Sequence, residues 1–252
     1  MCQRAAGSRS SIMSVFMDLN LNYTADKSRL QSLIETAAHL GFSTVAVNYV
    51  FEPSAKNKGI PSPTPINELI DQLPIVQGRS RPITVLNRLT IVTSDPSHFR
   101  PNAAEYRCFD LLAVQPTSEK LFHAADRGLV FEVSYAAAIR DSTMRRYTIA
   151  NAVSLMESCR GKNVILSSAA EKALELRGPY DVTNLGLLFG LSDGDAKEAV
   201  SSRCRSVILH AETRKTASGV VYTVKSCQQE APPAAAHCEA PAAKRARPHL
   251  TD

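Results

Sequence analysis

The sequence predicts an α/β fold, a parallel barrel of the TIM type. From Val15 to about Lys225, apolar strand-like runs alternate with helical patterns, which is the order that successive βαβ units produce. Several runs are apolar at nearly every position, as expected for strands that are buried on both faces. The runs number seven, whereas a barrel of this kind usually closes with eight strands. One strand is therefore missing or hidden in the sequence.

The first half of the chain is expected to supply three strands and one helix. The strands are predicted at SVFMDL (14–19), STVAVNYV (43–50) and RPITVLNRLTIVTSD (81–95), the third in one or two pieces and ending at a cap, Asp95. A helix is predicted from about Asp26 to just before Gly41, because five apolar residues recur there at helical spacing. These are Leu30, Leu33, Ile34, Ala37 and Ala38. Residues 52–65, with four prolines, are predicted to form a surface loop.

The second half is expected to supply four strands and four helices. The strands are predicted at FDLLAVQP (109–116), GLVFEVSY (128–135), NVILSS (163–168) and RSVILHAE (205–212). The helices are expected to begin near Thr117, Asp141, Pro179 and Ser192. Proline suits the first position of the third helix, which Gly190 ends, and Ser192 with Asp195 has capping-box spacing for the fourth, which runs through Val200.

Composition limits the kinds of protein that this chain can be. A length of 252 residues with 44% hydrophobic content suffices for a packed core, and the net charge of +5 permits an acidic partner. Tryptophan is absent and aromatic residues make up 6%, which disfavours a surface built mainly of stacking platforms for single strands. The six cysteines include no Cys-x-x-Cys pair, so neither a zinc site nor a disulfide framework is expected. No apolar run is long enough to span a bilayer, and no membrane partner is expected.

Three regions are predicted from the change in composition along the chain. Residues 1–13 form a flexible extension, residues 14–225 form the barrel-like domain, and residues 226–252 form a disordered tail rich in alanine and proline. The tail contains the compact basic cluster KRAR, with Lys244, Arg245 and Arg247 as its cations. A nuclear import receptor reads clusters of this type, although an ordinary solvated chain end is the alternative.

The string DSTMRRY (141–147) places two arginines in the opening turns of a predicted helix. Asp141 suits the N-cap, so Arg145 and Arg146 lie near the positive end of the helix dipole, where carboxylates are favoured. Two explanations are open. Either nearby carboxylates such as Asp141 neutralise the arginines, or a polyanion does so with help from the free N–H groups of the helix end.

Long specific strings carry a resemblance to a known family. They are ETAAHLGFSTVAVN, LPIVQGRSRPITVLNRLTIVTSDPSH, DSTMRRYTIANAVSLM, GKNVILSSAAE and RGPYDVTNLGLLFGLSDGDAKEAV. Between about Val15 and Val224 the chain resembles the TIM-barrel protein subunit of eukaryotic ribonuclease P and ribonuclease MRP, related to archaeal ribonuclease P protein component 3. Family members carry a further strand unit between the equivalents of His123 and Asp126, where this chain has only two alanines. The chain therefore resembles a shortened splice form that lacks one strand unit near residues 123–126, which leaves barrel closure in doubt.

The resemblance also raises an enzymatic alternative, because the family's barrel is similar to the PHP metal-dependent phosphoesterases. Their first strand ends in Asp-x-His-x-His, and the matching place here reads MDLNLNY (17–23). Asp18 is present, but Asn20 and Asn22 replace the histidines, and an amide is a poor ligand for zinc or manganese. We therefore expect no metal or cofactor in this chain, and a subunit of an endoribonuclease holoenzyme that is not catalytic by itself.

RNA binding is the function that the resemblance implies. It gives as partners ribonuclease P RNA and MRP RNA, precursor tRNA within the complex, a ferredoxin-like protein subunit and the other holoenzyme proteins. Mg²⁺ is expected at the RNA subunit, with roles in 5′ leader removal from precursor tRNA and in rRNA processing, and the expected location is the nucleus and nucleolus. A protein-only scaffold without RNA contact is the remaining alternative.

The RNA contacts are expected where the loops after the strands gather at one face of the barrel. The candidate residues are Arg140, Arg145, Arg146, Ser167, Ser168, Arg177, Thr213, Arg214 and Lys215, together with Arg79, Arg81 and Arg88 in or beside the third strand. Two alternatives are open at this point. Arg88 could instead form a buried ion pair in the core, and Ser167 with Ser168 could serve only to cap the turn.

Overall fold

The computed structural model describes residues 15–53, 59–60, 62–93, 104–117 and 129–216. All of them lie in one compact unit. The strands are β1 (Phe16–Asn22), β2 (Phe42–Phe51), β3 (Thr84–Thr93), β4 (Leu111–Pro116), β5 (Phe131–Ser134) and β6 (Val164–Ser167). The helices are α1 (Lys27–His39), α2 (Ile66–Leu69), α3 (Ala136–Arg140), α4 (Ser142–Cys159), α5 (Pro179–Leu188), α6 (Asp193–Ala199) and α7 (Ser202–Lys215). Two short 3-10 turns lie at Ala104–Tyr106 and Ala173–Glu175.

Every strand pair is parallel, as the alternation of strands and helices predicts. One sheet has the order β1-β2-β3-β4, and β5 pairs with β6. The segment after β6 joins the two sheets: the Ala169 N–H donates to the Asn20 carbonyl at 2.8 Å and the Asn22 N–H donates to the Ala170 carbonyl at 3.0 Å. The strands thus follow the order β5-β6-β1-β2-β3-β4 in a curled half-barrel. Within the described part of the chain β4 and β5 are the two edges, in agreement with the predicted loss of one strand unit between them.

Helix α1 packs on the outer face of the curled sheet. The side chain of Asp26 caps it by accepting from the Arg29 N–H at 3.2 Å, and Gly41 follows with a φ of +96°, a conformation that disfavours any side chain. Its five buried residues are the five that the spacing predicts: Leu30, Leu33, Ile34, Ala37 and Ala38. They join a core with Val45, Val47, Val85 and Leu89 of the sheet. Periodicity and capping therefore sufficed to place this helix.

The predicted final strand RSVILHAE is wrong, because residues 202–215 form helix α7. Cys204, Val207, Ile208 and Ala211 of this helix pack on the inner face of the sheet. Their contacts there are Met17 and Leu19 of β1, Ala46 of β2, Leu86 of β3, Leu111 of β4 and Ile165 of β6. The apolar residues of this run are therefore buried as one side of a helix that covers the inside of the curled sheet.

The other element boundaries agree closely with the predictions. Residues 84–93 form one strand rather than two pieces. Asp141 caps α4, Pro179 begins α5, and Ser192 caps α6 by accepting from the Asp195 N–H at 3.2 Å. The short helices α2 and α3 were not predicted, and the helix expected from Thr117 falls outside the described residues, as do Asp95 and the tail from residue 226.

Gly186 allows α5 and α6 to approach each other closely. A Cβ atom at this position would lie 2.9 Å from the Ala196 Cβ and 3.0 Å from the Leu166 Cδ1. We expect Gly186→Ala to lower the free energy of unfolding by about 1–3 kcal/mol, because the packed neighbours must shift. Urea unfolding would measure this loss.

Gly194 provides the matched control for this substitution. It also lies in a helix, but a Cβ atom there would meet no heavy atom within 4 Å. Gly194→Ala should therefore be neutral or raise stability by about 0.5–1 kcal/mol through the better helix propensity of alanine. Equal effects of the two substitutions would contradict close packing at Gly186.

Candidate functional site

A connected group of polar side chains, seven of them buried and two, Glu132 and Ser134, half-buried, lies across the strands. We call it the polar cluster; its members are Asp18, Asn20, Asn48, Arg88, Thr90, Glu132, Ser134, Ser167 and Ser168. The Thr90 hydroxyl donates to the Asn48 Oδ1 at 2.6 Å, and the Asn48 amide donates to the Asn20 Oδ1 at 2.9 Å. Buried polar groups are tolerated where hydrogen bonds satisfy them. Here the side chains of β3, β2 and β1 supply these bonds to one another.

Arg88 and Glu132 form the only ion pair within the polar cluster. The Arg88 guanidinium, carried by β3, donates two hydrogen bonds of 2.7 and 2.5 Å to the Glu132 carboxylate of β5, and a third of 2.9 Å to the Leu19 carbonyl of β1. Burial opposes ionisation of Glu132, but the charge and hydrogen bonds of Arg88 hold the pKa of its carboxyl below the usual value. Arg88 is only 5% exposed, and it forms the buried ion pair that was the alternative to an RNA contact.

Asp18 is the second buried carboxyl group of the polar cluster. Its Oδ1 accepts from the Ser168 N–H at 3.1 Å and from the Asn20 N–H at 3.2 Å, whereas no described group donates to its Oδ2. Burial raises the pKa of Asp18 to about 6, although these hydrogen bonds oppose the shift. Asp18 therefore gains or loses its proton in a range close to physiological pH.

The residues that replace the expected histidines are engaged with the protein. Asn20 belongs to the polar cluster, and the Asn22 amide donates to the Ala169 carbonyl at 3.2 Å. Within the described residues, no group of three His, Cys, Asp or Glu side chains is arranged to hold a metal ion. His39 lies in the last turn of α1, where a cation interacts favourably with the helix dipole.

The string GLSDG (190–194) has the Gly-x-Ser-x-Gly spacing of a nucleophile elbow. Its serine, Ser192, is the N-cap of α6, and its hydroxyl lies 2.5 Å from the Asp195 carboxylate. The turn connects two helices, whereas a nucleophile elbow connects a strand to a helix. Ser192 therefore has a capping role.

Arg145 and Arg146 lie on the exposed opening turns of α4, on the side where β5 ends. The Asp141 carboxylate accepts from the Thr143 and Met144 N–H groups at 3.1 and 3.4 Å, so it caps the helix. The Arg145 Nε donates to the Ala138 carbonyl of α3 at 2.8 Å. Among the residues that the structure describes, neither arginine forms an ion pair, so local carboxylates do not account for them.

Arg140 and Arg177 lie at the same end of the sheet, but they bind the protein itself. The Arg140 guanidinium contacts the Glu171 carboxylate at 2.9 Å and the Glu175 carboxylate at 3.1 Å, both in the segment after β6. The Arg177 Nη1 donates to two carbonyls of that segment, those of Leu174 and Leu176, at 2.8 and 2.7 Å. These two arginines order the segment that follows β6.

Ser167 and Ser168 are buried, with 1% and 0% exposure. The Ser167 hydroxyl lies 3.2 Å from that of Ser134, and the Ser168 hydroxyl donates to the Asn20 carbonyl and accepts from the Ala170 N–H, each at 3.1 Å. The hydrogen bonds of Ser168 match the turn-capping alternative, whereas Ser167 bonds across the β5–β6 pair. Neither hydroxyl is presented on the surface.

Arg214, Lys215 and Thr213 are not in a loop after a strand, which corrects their predicted placement. They form the last turn of α7, because the segment before them is helical. The Arg214 Nη2 donates to the Phe109 carbonyl at 3.2 Å and the Lys215 Nζ lies 2.6 Å from the Asp110 carboxylate, both just before β4 begins. These cations thus lie at the amino end of the sheet. Arg79 and Arg81 likewise precede β3.

Arg29 and Tyr23 are not among the residues predicted from the sequence, although both border a cleft at the end of β1. Tyr23 directly follows β1, and Arg29 lies in the first turn of α1, as Arg145 and Arg146 lie in the opening turns of α4. The Arg29 Nε donates to the Glu171 carbonyl at 2.8 Å, which places this guanidinium beside the segment that Arg140 contacts. A cation in an opening helical turn was the signal that singled out DSTMRRY, and the same signal is present in ADKSRL.

A family model described as RNase P subunit p30 matches residues 15–125 and 121–216, which together cover most of the chain. The chain belongs to the RNase P subunit p30 family. Relatives with matching length include the mouse (Mus musculus) ribonuclease P protein subunit p30, 50% identical over 246 residues with 84% of this chain and 92% of the mouse protein covered. The Schizosaccharomyces pombe probable ribonuclease P protein subunit 3 is 27% identical, with 80% and 95% covered. The Saccharomyces cerevisiae ribonuclease P/MRP protein subunit RPP1 is 24% identical, with 79% and 82% covered.

The comparisons also bear on the shortened region of this p30 family member. The two matched segments meet at residues 121–125, where the sequence predicts the loss of one strand unit. The aligned 246 positions exceed the residues that 84% of this chain contains, so the mouse protein has residues in the aligned region that this chain lacks. That splicing produced the shorter form stays a prediction. The described residues contain no helix of sufficient length and hydropathy to span a bilayer, and Lys244, Arg245 and Arg247 lie outside them.

Proposed function

We propose that this chain is a protein subunit of ribonuclease P and ribonuclease MRP that binds RNA and is not catalytic by itself. The names of the mouse and the two yeast relatives support the complex. In this proposal the RNA subunit, with Mg²⁺, removes the 5′ leader of precursor tRNA, and MRP serves rRNA processing. The ferredoxin-like subunit and other holoenzyme proteins are further partners. KRAR would direct the chain to the nucleus and nucleolus.

The observation that carries RNA binding is the exposed pair Arg145 and Arg146. Both are exposed on the opening turns of an 18-residue helix, and neither forms an ion pair with a described residue. A phosphate group at this position would gain charge-assisted hydrogen bonds from the arginines and a favourable interaction with the helix dipole. Backbone phosphates of RNA supply that anion. This supports assigning the two arginines to RNA.

The double variant Arg145→Ala with Arg146→Ala tests this assignment. We expect weaker binding to ribonuclease P RNA and a smaller dependence of affinity on salt, because each lost phosphate contact removes about one unit of slope in a plot of log K against log salt. Binding should be measured by filter retention or anisotropy over a range of salt concentrations. The affinities of the variant and the unaltered chain should converge at high salt.

A charge-matched control removes two cations elsewhere. Lys197 lies on α6, where it pairs with Asp193 at 2.8 Å, and Arg205 is exposed on α7. Lys197→Ala with Arg205→Ala lowers the net charge by the same amount but removes no proposed phosphate contact. It should therefore flatten the salt dependence less than the Arg145 and Arg146 variant does. An equal effect of both double variants would indicate nonspecific attraction and contradict the proposed contacts. A chain that binds no RNA above background would favour the protein-only scaffold.

A further inference from the structure

A cleft opens where β1 and β2 end, beside the polar cluster. It has a volume of about 540 Å³ and is lined by Asn22, Tyr23, Thr24, Arg29, Asn48, Tyr49, Val50 and Glu171. This volume is within the range of sites for small ligands, and it suits one nucleoside rather than a duplex. The lining residues come from β1, the start of α1, β2 and the segment after β6.

One wall of the cleft is aromatic. The rings of Tyr23 and Tyr49 are stacked with centroids 4.4 Å apart, and Tyr49 packs edge-on against Phe109 at 5.8 Å. The row runs outward from the core, since Phe109 is 0%, Tyr49 6% and Tyr23 36% exposed. Tyr23 is therefore a supported ring whose outer part is open to the cleft. A nucleobase can stack on such a ring irrespective of its identity.

The guanidinium of Arg29 also lines the cleft. Its Nε is fixed by the Glu171 carbonyl at 2.8 Å, and among described residues no group accepts from the two terminal nitrogens of Arg29. The Glu171 carboxylate is drawn to Arg140 at 2.9 Å, which offsets the negative charge in the lining. The nearby Asp26 carboxylate is used as the N-cap of α1. Two parallel donors on one guanidinium match a phosphate group.

Val50 and Asn48 complete the cleft. Val50 is 58% exposed although it lies within β2, so an apolar surface faces the opening without cover from described residues. Asn48 is buried, and its amide is held by Thr90 and Asn20. An apolar side chain beside a ring and a fixed amide provides the mixed lining that nucleobases prefer.

We propose that this cleft binds one unstacked nucleotide of single-stranded RNA, with the base on Tyr23 and the adjoining phosphate on Arg29. The proposal rests on the proposed function, because it assigns a second contact in the RNA interface that contains Arg145 and Arg146. It differs from those arginines in kind: they contact backbone phosphates only, whereas the cleft takes a base that is not paired.

The test uses the full chain with two probes, fluorescein-labelled decaadenylate and ribonuclease P RNA, and measures anisotropy over a range of salt concentrations. Tyr23→Ala should weaken decaadenylate binding about 5- to 100-fold, the loss expected for one stacked base, with an unchanged salt slope. Tyr23→Phe should bind like the unaltered chain. Arg29→Ala should weaken binding and lower the salt slope by about one unit.

A second pair of variants guards against an indirect effect through the packing of Tyr23 on Tyr49. Val50→Glu fills the cleft and adds a negative charge at an exposed position, so decaadenylate binding should fall while thermal unfolding changes little. Leu209→Glu makes a similar change at an exposed position on α7 and should leave binding unchanged apart from the nonspecific charge effect.

The outcomes separate this inference from the proposed function. If Tyr23→Ala and Val50→Glu bind decaadenylate as the unaltered chain does, while Arg145→Ala with Arg146→Ala weakens ribonuclease P RNA binding, the cleft assignment is wrong and the proposed function stands. Binding of ribonuclease P RNA without any binding of decaadenylate has the same meaning. If free adenosine monophosphate competes as strongly as the oligonucleotide, the cleft binds free nucleotides and its assignment to single-stranded RNA is wrong. A chain that binds neither RNA overturns both proposals.

Discussion

Arg88→Met is expected to lower the free energy of unfolding by about 3–5 kcal/mol, because the substitution leaves the Glu132 carboxylate buried without its partner. The guanidinium also bonds the Leu19 carbonyl, so one side chain of β3 connects β1 and β5. In a sheet whose described edges are β4 and β5, this bridge spans the inside of the curl. Urea unfolding followed by circular dichroism would measure the loss.

The double variant Arg88→Met with Glu132→Leu tests whether the unpaired charge of Glu132 causes the loss of stability. Replacing a buried pair by apolar residues of similar volume is often neutral, so most of the lost stability should return. Recovery should be incomplete, since the Leu19 carbonyl and the Thr90 hydroxyl each lose a donor. Lys197→Met removes an exposed pair and should cost less than about 1 kcal/mol. If Arg88→Met costs no more than Lys197→Met, the bridge does not hold the sheet.

Asp18→Asn is expected to stabilise the protein at neutral pH. Burial raises the pKa of Asp18 to about 6, from an ordinary value of 3.8. Between these two values the folded state keeps the proton while the unfolded chain loses it, so stability falls as the pH rises from about 4 to about 6 and is level above that range. The shift corresponds to roughly 3 kcal/mol of stability absent at pH 7.5.

The amide retains the hydrogen bonds to the Ser168 and Asn20 N–H groups through its oxygen, but it carries no charge to bury. We therefore expect the variant to exceed the unaltered chain in stability by up to about 3 kcal/mol at pH 7.5, with the difference disappearing near pH 4. Chemical denaturation at both pH values measures this difference. Asp71→Asn, which removes an exposed carboxylate paired with Lys27, is the control and should change stability by less than about 1 kcal/mol. If the Asp18→Asn variant were less stable at pH 7.5, burial of the charged Asp18 carboxylate would not be destabilising and this prediction would be wrong.

Elements with strong local signals could be predicted from sequence to within a few residues. In α1 and α4 a capping aspartate and a helical apolar period act within a few residues of each other, so their effect does not depend on the rest of the chain. The run Val207-Ile208-Leu209 lacked such a signal. Its β-branched residues suit a strand, but Ser202–Lys215 is a helix because its apolar side fits the inside of the curled sheet.

The candidate site divides in the same way. The sequence selected Arg145 and Arg146 through their conflict with the helix dipole, and the structure leaves both exposed and without an ion pair among described residues. It also selected Ser167, Ser168, Arg214 and Lys215 as surface groups, which the structure uses for its own hydrogen bonds. Whether a polar side chain faces solvent depends on partners that are distant in sequence.

By itself, the sequence determined the parallel α/β architecture, the first residues of α1, α4, α5 and α6, and the family, because these follow from local patterns and from long matching strings. Only the tertiary structure decided that Arg88 pairs with Glu132, that α7 covers the inside of the sheet, and that Tyr23 and Arg29 border one cleft. Each of these joins residues far apart in the chain. Such contacts form because packing and burial select partners by geometry, which the spacing of residues along the chain does not contain.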